Sequence, residues 1–100
     1  MEDIPQLICD VLPGEGYRRY HIDMEALWRE IDRLEVPVRS AWDWPAIMHR
    51  RYNLDGSLRT TYAAIATDHH VTRKRAEQVV KQICRELRHP RILKRWTLYQ

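Results

Sequence analysis

Cysteine is scarce in this chain: Cys9 and Cys84 are the only two in 100 residues, and they lie far apart. A disulfide framework is not expected, and Cys84, set among regularly spaced apolar neighbours, reads as a small buried hydrophobe rather than a redox centre. Long apolar runs are missing as well. No stretch approaches the roughly 18 residues that a membrane span needs, and the opening MEDIPQLICDVL lacks the basic, then apolar, then small-residue order of a secretory signal. The expectation is a cytoplasmic protein with no membrane contact. Convincing strand pairs and internal repeats are also absent. A length of 100 residues suits one small domain, or a compact unit with an appended helical segment, and is too short for a large enzyme.

Charge is present but unevenly placed. The formal net charge of +3 conceals an acidic first part and a basic remainder. Residues 1–40 hold nine acids and five Lys/Arg, net −4, and residues 41–100 hold twelve Lys/Arg and five acids, net +7. A solvated charged face is the ordinary explanation of such an imbalance, but clustering of cations on one segment is also the electrostatic footprint of a phosphate-binding surface.

The helix signals are clear. Asp3 is placed to cap a short helix from Pro5 to Val11, which Pro13-Gly14-Glu15-Gly16 then breaks. Asp23 starts a second helix, whose stripe of Met24, Leu27, Trp28, Ile31 and Leu34 repeats at helical spacing until Val36-Pro37 ends it. Ser40 or Asp43 caps a third, with Pro45 favouring the later start, and Ile47, Met48 and Tyr52 face the core. Asn53-Leu54-Asp55-Gly56-Ser57 has loop chemistry, and Thr61 caps a short helix to about Thr67. Trp28, Trp42, Trp44 and Trp96 are many for this length. Trp28 and Trp42 read as core, and because so small a core is not expected to enclose all four, one or two are expected to anchor a protein partner.

The segment Val71-Thr72-Arg73-Lys74-Arg75-Ala76-Glu77-Gln78-Val79, continuing to Leu87-Arg88-His89-Pro90, carries the most information. Ala76, Val79, Val80, Ile83, Cys84 and Leu87 form one buried helical stripe, leaving Arg73, Lys74, Gln78, Lys81, Arg85 and Arg88 on other faces. With the short helix before it, this reads as the second helix of a helix-turn-helix. Thr72 at the N-cap aims free N–H groups outward, and three basic residues in the first turn oppose the helix dipole, a local conflict that points to an anionic partner. Arg73, Lys74, Arg75, Gln78 and Lys81 are the expected DNA contacts, with Arg85 and Arg88 at the periphery. The cluster Asp68-His69-His70 with His89 and Cys84 has no zinc-ligand spacing. No metal, cofactor or catalytic residue is expected.

This segment resembles region 4.2 of the bacterial sigma-70 family of RNA polymerase promoter-recognition subunits, whose recognition helix reads V-T-R-E-R-I-R-Q-I and ends L-R-H-P. The ending is intact here. Without gaps the resemblance runs back through Thr61-Tyr62-Ala63-Ala64-Ile65-Ala66 and through Arg51-Tyr52-Asn53-Leu54-Asp55, so that it spans residues 41–96, while residues 1–40 resemble nothing in the family. It implies an all-α fold: a sigma region 4-like helix-turn-helix domain over residues 41–100, preceded by an acidic helical segment, residues 1–40, with no assignment. In the family, the residues matching Arg73, Lys74, Arg75, Glu77 and Gln78 enter the major groove of the minus-35 element or touch its phosphates. Two positions depart: the family's usual Glu is Lys74 here and its second Arg is Glu77. Glu accepts from cytosine and Lys donates to guanine, so the base readout is altered, while Arg73 and Gln78 keep the chemistry to read guanine and adenine edges. The family's acids in the preceding helix are replaced by Ala63 and Ala64, and His69 takes a usually apolar turn position, where a partly buried turn residue is expected.

The resemblance implies a transcription factor that recognises double-stranded promoter DNA, with Thr72, Arg73, Lys74, Arg75, Glu77, Gln78 and Lys81 at the interface, and that docks on the β-subunit flap of bacterial RNA polymerase. Residues 1–40 are too short for the promoter-melting domain of a complete sigma factor. The expectation is therefore one half of a split sigma factor working with a companion sigma-like protein, or a regulator, in the nucleoid of a bacterial or phage-infected cell. The helix over residues 24–35 is the expected companion surface, because the family domain leaves its stripe without a partner. The alternative is a protein-interaction module, a sigma mimic or antagonist, that occupies the flap-tip site without sequence-specific DNA readout. Lys74 and Glu77 favour that alternative, and nine Lys/Arg against two acids over residues 73–95 oppose it.

Overall fold

The computed structural model describes residues 4–14, 16–37 and 41–99. Their elements run α1 (Gln6–Val11), a 3₁₀ turn (Gly16–Arg19), β1 (Tyr20–Ile22), α2 (Met24–Asp32), α3 (Trp44–Arg51), α4 (Tyr62–Asp68), α5 (Arg73–Leu87), α6 (Pro90–Trp96) and β2 (Thr97–Tyr99). The architecture is mostly helical, as expected, with one small sheet added.

Four helices begin on the capping residues that the sequence marks. Asp23 accepts from Ala26 N at 3.0 Å, Asp43 from Ala46 N at 3.1 Å, Thr61 from Ala64 N at 3.1 Å and Thr72 from Arg75 N at 3.1 Å. Each side chain satisfies one first-turn donor that the helix cannot satisfy itself, a contribution of about 1 kcal/mol. α1 differs. Its N-cap is Pro5, which makes no side-chain bond, and the expected caps Asp3 and Ser40 lie outside the described residues. The first-turn N–H of Leu7 instead reaches the Gly56 carbonyl at 2.9 Å.

One continuous core joins all the helices. α5 contributes Ala76, Val79, Val80, Ile83, Cys84 and Leu87, the stripe read from the sequence. α4 packs against α5, α1 lays Leu7, Ile8 and Val11 along α5, and α2 packs against α6. Burial pushes the Cys84 thiol up to about 12, so it stays protonated and inert. The α2 stripe does not wait for a companion: Ala26, Leu27, Trp28 and Ile31 are buried within this chain, which corrects the expectation of a free docking stripe there.

The strand pair is a second correction. β1 and β2 run antiparallel with Tyr20 opposite Tyr99, His21 opposite Leu98 and Ile22 opposite Thr97. Three residues are too few to show alternation in a sequence. The pairing continues the packing of α2 on α6, with Asp23 N donating to Trp96 O at 3.0 Å at the junction.

The tryptophans are a third. None of the four is more than 8% exposed. Two have their indole N–H satisfied inside the fold, Trp28 by Leu54 O at 3.0 Å and Trp96 by Leu87 O at 3.2 Å. Trp28 and Trp42 are covered by imidazole rings, His49 at 4.5 Å and His69 at 4.3 Å. Edge histidines extend the core beyond its aliphatic volume, so all four indoles are enclosed rather than one or two projecting from the surface.

Of the three glycines, Gly56 is the most closely approached by other residues. Its φ of +88° is one that side-chain-bearing residues rarely adopt, and a Cβ there would lie 2.7 Å from Pro5 Cβ and 2.9 Å from Met24 Cε. Strain and overpacking together give an expected cost of about 2–4 kcal/mol for Gly56→Ala. In thermal unfolding the melting temperature should drop by on the order of 10 °C; an unchanged midpoint would show that α1 and α2 do not seat on this loop.

Candidate nucleic-acid interface

α4 and α5 pack against each other across a short turn, the two helices read from the sequence as a helix-turn-helix. The turn is built from particular residues. His69 N donates to Ile65 O at 3.1 Å, His70 N to Thr67 O at 3.3 Å and Val71 N to Ala66 O at 3.0 Å, and Thr72 then opens α5. His70 has φ +55°, the left-handed conformation that ends α4 and redirects the chain. His69 is exposed rather than partly buried as expected, because its ring lies over the outer face of Trp42. Arg50, from the end of α3, forms an ion pair with Asp68 at the end of α4, which neutralises the carboxylate nearest the turn.

The wheel of α5 decides which predicted residues come together. At about 3.6 residues per turn, spacings of four, three and four align side chains along one face. Lys74, Gln78, Lys81 and Arg85 obey that spacing, and all four are exposed opposite the buried stripe. Arg85, read from the sequence as peripheral, therefore belongs to the central row, and its spacing from Lys81 was the available signal. Arg73 and Glu77 lie on one flank of this row and Arg75 on the other. Arg73 and Arg75 are exposed and Glu77 is half-buried. The Thr72 hydroxyl is engaged as an acceptor in the cap, and the first-turn N–H groups of Arg73 and Lys74 point beyond the helix end.

Glu77 and Lys81 are coupled. Lys81 Nζ lies 2.9 Å from Glu77 Oε1, one helical turn apart. The hydrogen bond and charge of the pair hold the Glu77 carboxyl below its usual range and the Lys81 ammonium above its own, so both are charged at neutral pH. Exposed pairs of this kind contribute little to stability. Their consequence is directional: Glu77 leans along the helix towards Lys81. α1 borders the row here, since Cys9 and Asp10 share a small hollow with Lys81 and Cys84.

Behind the row the support is dense. Arg51 is buried, donates through Nη1 to Thr60 O at 2.7 Å and lies 3.7 Å from the Tyr62 ring centroid, fixing the start of α4 against the end of α3. The neighbouring Tyr52 hydroxyl donates to Asp10, tying α1 to α3. Burial, then the nearby Cys84 and Asp10, push the Tyr52 pKa far upward, so it remains a neutral donor. Among the described residues no group of three His, Cys, Asp or Glu side chains is arranged to hold a metal ion. No described helix is long and apolar enough to cross a membrane.

Comparison with known protein families, with curated proteins and with solved structures finds no match. The site is therefore read from its own geometry.

The left-handed turn gives a direct check. A non-glycine residue at positive φ costs about 1–2 kcal/mol, partly offset by the greater unfolded freedom of glycine. His70→Gly is expected to raise unfolding free energy by about 0.5–1 kcal/mol, and β-branched His70→Val to lower it by at least as much. Chemical denaturation of the two variants decides it: the reverse order would mean that the turn is not left-handed at residue 70.

Proposed function

We propose that this chain is a DNA-binding transcription factor resembling region 4 of the sigma-70 family, which inserts α5 into the major groove of promoter DNA and docks on bacterial RNA polymerase. One observation carries the reading: the row Lys74, Gln78, Lys81 and Arg85 is exposed along a 15-residue helix whose other side is locked into the core. A helix of this kind fits the major groove, and its cations meet phosphates on the groove walls. Lys74 and Gln78 occupy the row nearest the N-terminus, where base edges are reached. Their chemistry favours guanine for Lys74 and adenine for Gln78. Lys81 and Arg85, further along, fit backbone contacts, with Arg73 and Arg75 flanking the first turn.

A second reading has a specific observation behind it. The Glu77–Lys81 pair removes net charge from the middle of the row, and the family's base-reading Glu is absent. Both fit a protein that occupies the polymerase flap-tip site as a mimic or antagonist without reading sequence.

Fluorescence anisotropy on labelled duplexes selected from a random pool tests the first reading. With about four phosphates contacted, affinity should fall by roughly a hundredfold between about 50 and 200 mM salt. Lys74→Ala or Gln78→Ala should relax sequence preference by about 1–3 kcal/mol, while Lys81→Ala or Arg85→Ala should weaken all duplexes alike. If no duplex is bound at low salt, or all four variants bind as the parent does, α5 is not a DNA-reading helix. Retention of a flap-tip fragment under those conditions would establish the second reading.

A further inference from the structure

The loop between α3 and α4 displays two leucines to solvent. Leu54 is 68% exposed and Leu58 48% exposed; Leu98 on β2, at 72%, is the other large apolar side chain left open among the described residues, whereas all four tryptophans are enclosed. The loop that holds them is unusually well tied. Within it, Asn53 N donates to Ser57 O at 2.8 Å, Gly56 N to Asn53 O at 2.9 Å, and Ser57 donates to Asp55 Oδ1 through N at 2.9 Å and Oγ at 2.6 Å. From outside, Trp28 Nε1 holds Leu54 O, Leu7 N holds Gly56 O, and Tyr52 bridges Leu58. With so many bonds on so few residues, the leucines are held in place before any partner arrives, and little ordering entropy remains to oppose binding.

Leu54 also closes an open groove of about 560 Å³, whose apolar surface comes from Met24 and Trp28 of α2. An adjoining hollow, reached past Asp55, is lined by Ile4, Pro5 and Leu58. The groove is therefore composite, made by α2 on one side and the loop on the other. Among the described residues its charged lining is one-sided: Glu25, Asp32 and Asp55 with Arg29. His49 lies beside Asp32, with Nε2 2.7 Å from Oδ1. The bonds from Ser57 hold the Asp55 carboxyl below its usual pKa, so it is charged at neutral pH. An apolar floor between carboxylates excludes nucleic acid, whose phosphates would be repelled, and selects a cationic partner that also carries an apolar anchor.

We propose that this groove is a docking site for a basic segment of another protein, one that seats an aliphatic or aromatic side chain against Leu54, Met24 and Trp28 and sets lysines or arginines against Glu25, Asp32 and Asp55. The site is distinct from α5 and does not depend on DNA binding. It leaves α5 free, so the chain can hold a protein and a second ligand at once.

The test uses the full chain and two synthetic peptides of identical leucine pattern, one with lysines and one with glutamates at the polar positions, followed by amide chemical-shift mapping and calorimetry. The lysine peptide is expected to bind at least tenfold more tightly than the glutamate peptide and to shift Met24, Trp28, Leu54 and Leu58 rather than the α5 row. Leu54→Ser should weaken binding at least tenfold. Because Leu54 is largely exposed, the variant should stay folded, and an unchanged amide spectrum elsewhere confirms it. Asp55→Asn combined with Glu25→Gln should erase the preference for the lysine peptide. Equal binding of the two peptides, no binding, or shifts confined to other surfaces would overturn the proposal. So would concentration-dependent self-association, by sedimentation, that Leu54→Ser abolishes, since the occupant would then be a second copy of this chain.

Discussion

Two backbone carbonyls, those of Leu54 and Gly56, fix how the first third of the chain meets the rest. Apolar burial is non-directional, so the faces of α1 and α2 could slide over the core with little loss. Leu54 O takes the Trp28 indole N–H, and Gly56 O takes the first-turn N–H of Leu7, which Pro5 cannot cap. These bonds give the packing a register. They also explain why residue 56 is glycine, since any Cβ would stand where Pro5 and Met24 already are.

Once that register is set, the charges sort themselves. Carboxylates close to the helix-turn-helix are matched, Asp68 by Arg50 and Glu77 by Lys81, while the buried Glu30 is clamped by Arg33 at 3.4 Å and Arg95 at 3.1 Å across α2 and α6. The composite groove gathers three more, Glu25, Asp32 and Asp55, with Arg29 beside them and His49 on Asp32. The uneven charge of the sequence thus becomes two surfaces of opposite character on one rigid support, the basic one on a helix and the acidic one between a helix and a loop.

Helix positions were legible wherever one residue carries the signal. Asp23, Asp43, Thr61 and Thr72 each cap as read, and the stripe of α5 is buried residue for residue. What was not legible depends on contacts distant in sequence. The strand pair joins residues whose local pattern is silent, and the cover of Trp28 and Trp42 comes from His49 and His69, which arrive from elsewhere in the chain. The α2 stripe was visible as apolar, but nothing local says that α6 of the same chain covers it. On the candidate interface, residue identities were readable and their grouping only partly so. The spacing of Arg85 aligns it with Lys81, while the Glu77–Lys81 ion pair rests on side-chain geometry that the sequence pattern does not give.

The union of α2 with α6, fastened by β1 and β2, joins segments about sixty or more residues apart, as does the packing of α1 on α5, whereas α4 and α5 are neighbours in sequence. During synthesis, α2 emerges before α6, and the face that it packs on α6 stays uncovered until α6 has been made. At about 5–20 residues per second that interval lasts roughly 3–13 s. α4 and α5 are adjacent in sequence and can pack within that time, whereas α1 waits for α5 and α2 waits for α6. The newborn chain therefore passes through a stage in which its basic helix can already be presented while its first helices are sticky and unsecured, and it is there that a chaperone would have something to hold.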